Sequence, residues 1–179
     1  MKSNIYENRE KSSVADLTSV IQRKFYLNWE IDFSKEIMSG YIDIDFEILK
    51  DTDEIALDGR ALKIFKIDHV FEQGTSKNLD FTISDANLIK ENHKSSKILI
   101  KLGKIQNKNT NLKIRIFYQT GSGSETSGLQ WLKKEATKDK IAPFLFSQFQ
   151  PIHARSVIPC QDAPGAKVTY LGWFLKKMS

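Results

Sequence analysis

Residues Phe25–Phe33 (FYLNWEIDF) alternate strictly between apolar and polar. Phe25, Leu27, Trp29, Ile31 and Phe33 fall on one face, and Tyr26, Asn28, Glu30 and Asp32 on the other. A period of two is that of a half-buried strand. Ile42–Ile48 repeats the device, with Ile42, Ile44, Phe46 and Ile48 turned inward and Asp43, Asp45 and Glu47 outward. Gly40 lies between the two runs, where it suits a hairpin connection. Ile55–Leu57 leads into Asp58-Gly59, a turn signal. Leu62–Val70 is strand-like but mixed. Leu79, Phe81 and Ile83 alternate again, as do Ile98 and Ile100, and then Leu112, Ile114, Ile116 and Tyr118. The connecting stretches QNKNTN and QTGSGSETSG carry turn-forming residues. No stretch holds a 3.6-residue period for three turns, and Leu129–Lys140 has room for one short helix. The predicted fold is all-β: a saddle-like, mostly antiparallel multi-strand sheet or sandwich with at most one short helix.

Length and composition narrow the class. A chain of 179 residues builds one domain with a proper core. Residues 1–20 read as a flexible N-terminal arm. With 40% hydrophobic and 27% charged residues the composition is that of an ordinary soluble protein. No run approaches the roughly 18 apolar residues that span a bilayer. The opening MKSNIYENREKSSVADL has no apolar core of a secretory signal. A single Cys excludes an intrachain disulfide, there is no N-x-S/T sequon, and a cytoplasmic location is expected. The net charge of +5 is spread out. The densest basic stretch, Lys133, Lys134, Lys138 and Lys140, is interrupted by Glu135 and Asp139, so nucleic-acid binding is not expected. Asp43, Asp45 and Glu47 are read as the solvated face of a strand rather than a cation site, because alternation already explains each of them.

Little in the chain resembles a catalytic constellation. A zinc site needs three or four converging ligands, and the chain has His69, His93, His153 and Cys160 without an H-E-x-x-H motif. His69-Val70-Phe71-Glu72-Gln73 approaches the inverted H-x-x-E-H pattern, but Gln73 replaces the second His and the context is a strand. His153 and Cys160, seven apart, would lie roughly 20 Å apart on an extended strand, and Cys160 reads as a buried small residue. No nucleophile elbow, dinucleotide fingerprint or P-loop is present.

One segment stands apart. FLFSQFQPIHARSVIPCQDAP, Phe144–Pro164, holds two Gln two positions apart, the only Cys and three of the four Pro. Extended, Gln148 and Gln150 would share a face, offering two neutral amides to a peptide backbone. Leu129-Gln130-Trp131-Leu132, Pro143–Gln148, Gln150-x-Ile152-His153-x-Arg155 and Ile158-Pro159-Cys160-Gln161-Asp162-x-Pro164 resemble the N-terminal domain of the leukotriene A-4 hydrolase and aminopeptidase B branch of the zinc aminopeptidases. The likeness is dense from about Gly128 to Tyr170 and looser from Phe25 onward. It implies a β domain over residues 21–172 that caps a separate catalytic domain carrying the zinc. It also implies that Gln148, Gln150 and Pro151 line the substrate cleft; His153 and Arg155 match the motif too and are read as structural supports. Proline at 151 offers no N–H to that cleft. In the full-length enzyme, zinc-bound water would attack a peptide carbonyl near the free amino end, and related members also hydrolyse a lipid epoxide.

After Tyr170 the likeness fades into LGWFLKKMS, so residues 173–179 read as a divergent tail. This chain alone is expected to hold no cofactor, no metal and no catalytic residue. Its expected partners are a peptide substrate and the zinc-bearing catalytic domain, with self-association through an uncovered face. The alternative is a free-standing, non-catalytic β-sandwich interaction protein.

Overall fold

The computed structural model describes residues 13–86 and 95–177. Eleven strands run through them: β1 (Val20–Asp32), β2 (Ile37–Ile48), β3 (Thr52–Gly59), β4 (Lys63–Val70), β5 (Ser76–Asn78), β6 (Phe81–Ala86), β7 (Ser95–Gln106), β8 (Asn111–Gln119), β9 (Leu129–Leu132), β10 (Phe144–Ser147) and β11 (Thr169–Lys176). They form a six-stranded sheet in the order β11-β1-β2-β8-β4-β5, a three-stranded sheet β3-β7-β6 and a hairpin β9-β10. Every pairing is antiparallel except β1 with β11. The all-β, mostly antiparallel class is therefore the one the alternation predicts. The described residues contain no α-helix, only three short 3₁₀ turns, at Gly123–Glu125, Lys134–Ala136 and Ala154–Ser156. Leu129–Lys140 is accordingly a strand followed by a 3₁₀ turn, not a helix: β10 offers Leu129–Leu132 a hydrogen-bonded partner that a short isolated helix would lack.

The inward residues read from the sequence meet in register. Phe25 pairs with Ile44 and Ile44 with Ile114; Leu27 pairs with Ile42, Ile42 with Ile116 and Ile116 with Ile67. Ile55 and Leu57 of β3 and Ile98 and Ile100 of β7 close the same core from the smaller sheet. A bulge in β1 between Gln22 and Lys24 shifts the alternation, so Val20 and Gln22 are buried together with Phe25 and Leu27.

Three local expectations are corrected. Gly40 lies inside β2, not in the turn; its φ is +149°, and a Cβ there would stand 2.1 Å from the Asn28 carbonyl oxygen. In register it separates Trp29 from Tyr118, whose Nε1 and hydroxyl bond at 2.8 Å in the core. Asp58-Gly59 is not a turn but the end of β3, with Asp58 fully buried; the chain turns after it, where Ala61 has φ +53°. The acidic row on β2 is not simply solvated. Asp43 is buried and takes two bonds from Arg115, at 2.6 and 2.7 Å. Asp45 faces Lys113 at 3.2 Å and Glu47 meets Arg23 at 2.8 Å. Opposite charges on the neighbouring strands, facing for Asp43 and Asp45 and on the β1 bulge for Glu47, explain these acids without a cation.

Of the segment 1–20, residues 1–12 lie outside the described residues, and 13–20 are packed: Ser13, Ala15 and Val20 are buried. His93 also lies outside the described residues. No described helix is long and apolar enough to cross a membrane.

Candidate functional site

Strand β10 ends at Ser147, and the chain then leaves the sheet instead of continuing as an extended strand. Pro151 lacks the N–H a ladder needs and restricts the residue before it. The Gln148 N–H donates to the Gly128 carbonyl at 3.0 Å, and the His153 N–H donates to the Phe149 carbonyl at 2.8 Å. These bonds bracket a tight loop whose Gln150–Pro151 peptide is cis. Gln148, Gln150 and Pro151 are all exposed on it. They therefore share a loop rather than one face of a strand.

Beneath the loop the chain is anchored by buried polar groups. The Ser127 hydroxyl and His153 Nδ1 are 2.9 Å apart. The Ser156 hydroxyl accepts from the Gly128 N–H at 2.9 Å and donates to the His153 carbonyl at 2.8 Å. Only glycine fits at 128, since a Cβ there would stand 2.7 Å from the His153 carbonyl oxygen.

Arg155, 2% exposed, donates through Nε to Asp162 Oδ2 at 2.9 Å, through Nη2 to the Asp162 carbonyl at 3.0 Å and through Nη1 to Ser95 Oγ at 3.2 Å. Its Nη1 also stands 3.6 Å from Asp58 Oδ1. Asp58 accepts from the Ser13 hydroxyl at 2.6 Å and from the Val14 and Asp162 N–H groups at 2.8 and 3.0 Å. Burial raises the Asp58 carboxyl above its ordinary range, against the pull of Arg155 and these donors. Arg155 is thus tied into a buried polar network, and His153 is bonded to Ser127 at the base of the loop.

A second lock ties the segment to β1. Gln161 Oε1 accepts from the Gln22 N–H at 2.9 Å, and Gln22 Oε1 accepts from the Gln161 N–H at 2.8 Å. Asp58, Gln22 and Ser13 escape sequence reasoning: Asp58 looks like a turn residue, Ser13 belongs to a polar terminus, and only the break in alternation around Arg23 hints at Gln22. Between this segment, β1 and the β9-β10 hairpin lies a largely apolar cavity of about 680 Å³, walled by Phe25, Leu27, Trp29, Leu145, Phe149 and Val157.

The described residues do not fit a zinc ion. Among the described residues no three His, Cys, Asp or Glu side chains are grouped to hold a metal. Cys160 is buried, and burial, reinforced by Asp162 and Asp58, pushes its thiol well above the usual value, so it stays protonated at neutral pH.

The family model for the peptidase M1 N-terminal domain matches residues 4–171. Leucine aminopeptidase 2-2 of Meyerozyma guilliermondii is 36% identical over 151 residues, covering 84% of this chain and 21% of its own length. Leukotriene A-4 hydrolase of Xenopus laevis is 28% identical over 167 residues, covering 90% and 25%. Native leukotriene A4 hydrolase from Saccharomyces cerevisiae superposes with a TM-score of 0.79 at 26% identity, over 96% of this chain and 26% of that one. The chain spans about a fifth to a quarter of the length of these relatives. It belongs to the peptidase M1 N-terminal domain family.

Proposed function

We propose that the loop Gln148–His153 forms one wall of a peptide cleft, and that the catalytic half of that cleft belongs to a zinc aminopeptidase domain of a full-length enzyme. The observation that carries this reading is the contrast within one segment. Gln148, Gln150 and Pro151 are exposed, while Arg155–Gln161 just beyond them is buried. Exposed side-chain amides on a firmly anchored loop can donate to and accept from a peptide backbone at low entropic cost. Pro151 contributes a carbonyl but no N–H.

In this reading the domain orients the free amino end of a peptide and excludes water, while the chemistry lies elsewhere. Lipid epoxide hydrolysis stands beside peptide hydrolysis as an activity of the full-length enzyme, and the cytoplasm is its compartment. Apolar surface left uncovered in this chain makes it self-associate.

The test is a titration of the chain with a short peptide bearing a free amino terminus, followed by amide NMR shifts. Shifts confined to residues 148–153 and abolished by Gln150→Ala are expected. A spectrum unmoved at millimolar peptide overturns the cleft reading. Metal analysis showing one bound zinc per chain overturns the placement of the chemistry elsewhere.

A second reading, a free-standing interaction protein, is favoured by one observation: every residue of β11 is exposed. Co-purification of the chain with an intact aminopeptidase distinguishes it from the first.

A further inference from the structure

Asp58, at the end of β3, is fully buried, and two segments share its carboxylate. Oδ1 accepts from the Val14 N–H at 2.8 Å and lies 3.6 Å from Arg155 Nη1. Oδ2 accepts from the Ser13 hydroxyl at 2.6 Å and from the Asp162 N–H at 3.0 Å. Each oxygen therefore meets one donor from the stretch before β1 and one from the stretch beyond the loop. A carboxylate offers about four acceptor sites, and leaving them unfilled in the interior is costly. The stretch before β1 is shaped accordingly. The Ser13 hydroxyl also accepts from the Ala15 N–H at 3.1 Å, which folds residues 13–15 around the carboxylate, and Ser13 and Ala15 are both buried.

A short, bonded path runs from Asp58 to the loop. Arg155 sits in the 3₁₀ turn Ala154–Ser156, which starts from His153. The Ser156 N–H donates to the His153 carbonyl at 3.2 Å, and the His153 N–H closes the loop on the Phe149 carbonyl at 2.8 Å. The orientation of the Arg155 guanidinium thus bears on the base of Gln148–His153. Asp58 and Arg60 also grip this stretch through their backbones. The Arg60 N–H donates to the Arg155 carbonyl at 3.0 Å, and the Asp58 N–H to the Cys160 carbonyl at 2.8 Å. With that grip intact, loss of the Ser13 hydroxyl frees the carboxylate to turn without unfolding the sheet.

We propose that Ser13 and Val14 are positioning residues of the cleft wall: by fixing the Asp58 carboxylate they hold the Arg155 turn, and with it the Gln148–His153 loop, in the arrangement that meets a peptide. The inference rests on the cleft reading for its purpose, but the coupling of the two stretches is measurable without it. It makes residues 13–15 and 148–155 one cooperative unit, although the strands β1 to β10 separate them in sequence.

Native-state amide exchange of the whole chain in low urea tests this. The Val14, Gln148 and His153 N–H groups should share one opening, at lower free energy than global unfolding. Ser13→Ala should make that opening about tenfold more populated, because a hydrogen bond to a charged group is lost, and Ser13→Thr should restore it. Tyr118→Phe, which weakens the core elsewhere, should leave it unchanged. Openings at different free energies, or only on global unfolding, overturn the proposal. So does a Ser13→Ala chain whose loop opens no more often than that of Tyr118→Phe. Should Ser13→Ala not fold, the wild-type exchange decides alone. A short peptide with a free amino terminus, at about ten times its dissociation constant, should slow the shared opening about tenfold at Val14 as well as in the loop. Slowing in the loop alone overturns the positioning role and leaves the cleft standing. A peptide that moves no shift at 148–153 overturns the cleft reading, while a common opening of Val14 and the loop still upholds their coupling.

Discussion

β2 and β11 flank the same strand, β1, and both are rich in apolar residues, yet their environments are opposite. Ile42, Ile44 and Ile48 of β2 are fully buried and Phe46 is 1% exposed. Trp173, Phe174 and Leu175 of β11 are each more than half exposed. β2 has β8 on its second edge, and the small sheet's side chains join the same core; β11 has no second-edge strand among the described residues and only partial cover, with Phe174 against Trp29 at a ring-centroid distance of 5.4 Å. An apolar run therefore states only what would gain from burial. Whether the gain is realised depends on what lies opposite.

The comparison can be broken by mutation. The largest loss is expected in the anchor that carries the chain from β10 toward β11. Asp58→Asn leaves the buried Arg155 guanidinium short of a charge, and about 3–5 kcal/mol of stability should vanish in urea denaturation. A loss below about 1 kcal/mol, within the range of surface substitutions, would mean that Asp162 alone satisfies Arg155.

Next come the two strands themselves. Ile44→Ala on β2 should cost about 3 kcal/mol, the usual range for a fully buried aliphatic residue. Leu175→Ala on β11, measured in a monomeric background, should stay within about 0.5 kcal/mol. Equal losses would erase the distinction drawn here.

Tyr118→Phe removes the partner of the Trp29 indole N–H and should cost about 1–2 kcal/mol, with a change in tryptophan emission. The smallest effect is a pH slope. Burial, then Lys104 and Lys77, hold His69 below its ordinary 6.5. Between its folded value and 6.5 the unfolded chain binds more protons, so stability should rise with pH through that window and fall on acidification below 6.5. His69→Gln should flatten this slope; an unchanged slope would assign it to another group.

Much of the fold is legible from single residues. The period of two across Phe25–Phe33, Ile42–Ile48 and Leu112–Tyr118 marks three strands, and the same residues meet in register. The misreadings have a common cause. Gly40 and Asp58-Gly59 look like turns because glycine and aspartate favour turns locally, but each serves a distant group: the Trp29–Tyr118 contact in one case, Arg155 in the other. Gln148 and Gln150 stand out by their motif, but the strand that would align them ends at Ser147 because Pro151 cannot join a ladder.

The sequence by itself determined which residues alternate, and therefore that the chain forms sheets rather than helices, because side-chain direction along an extended backbone needs no knowledge of the rest of the molecule. Only the tertiary structure decided which polar groups are buried and which apolar ones are left outside. Asp58 and Gln22 are interior because partners 44 or more residues away satisfy them, whereas Trp173 on β11 stays 60% exposed. Burial is a property of pairs of segments, and a linear chain does not state its pairs.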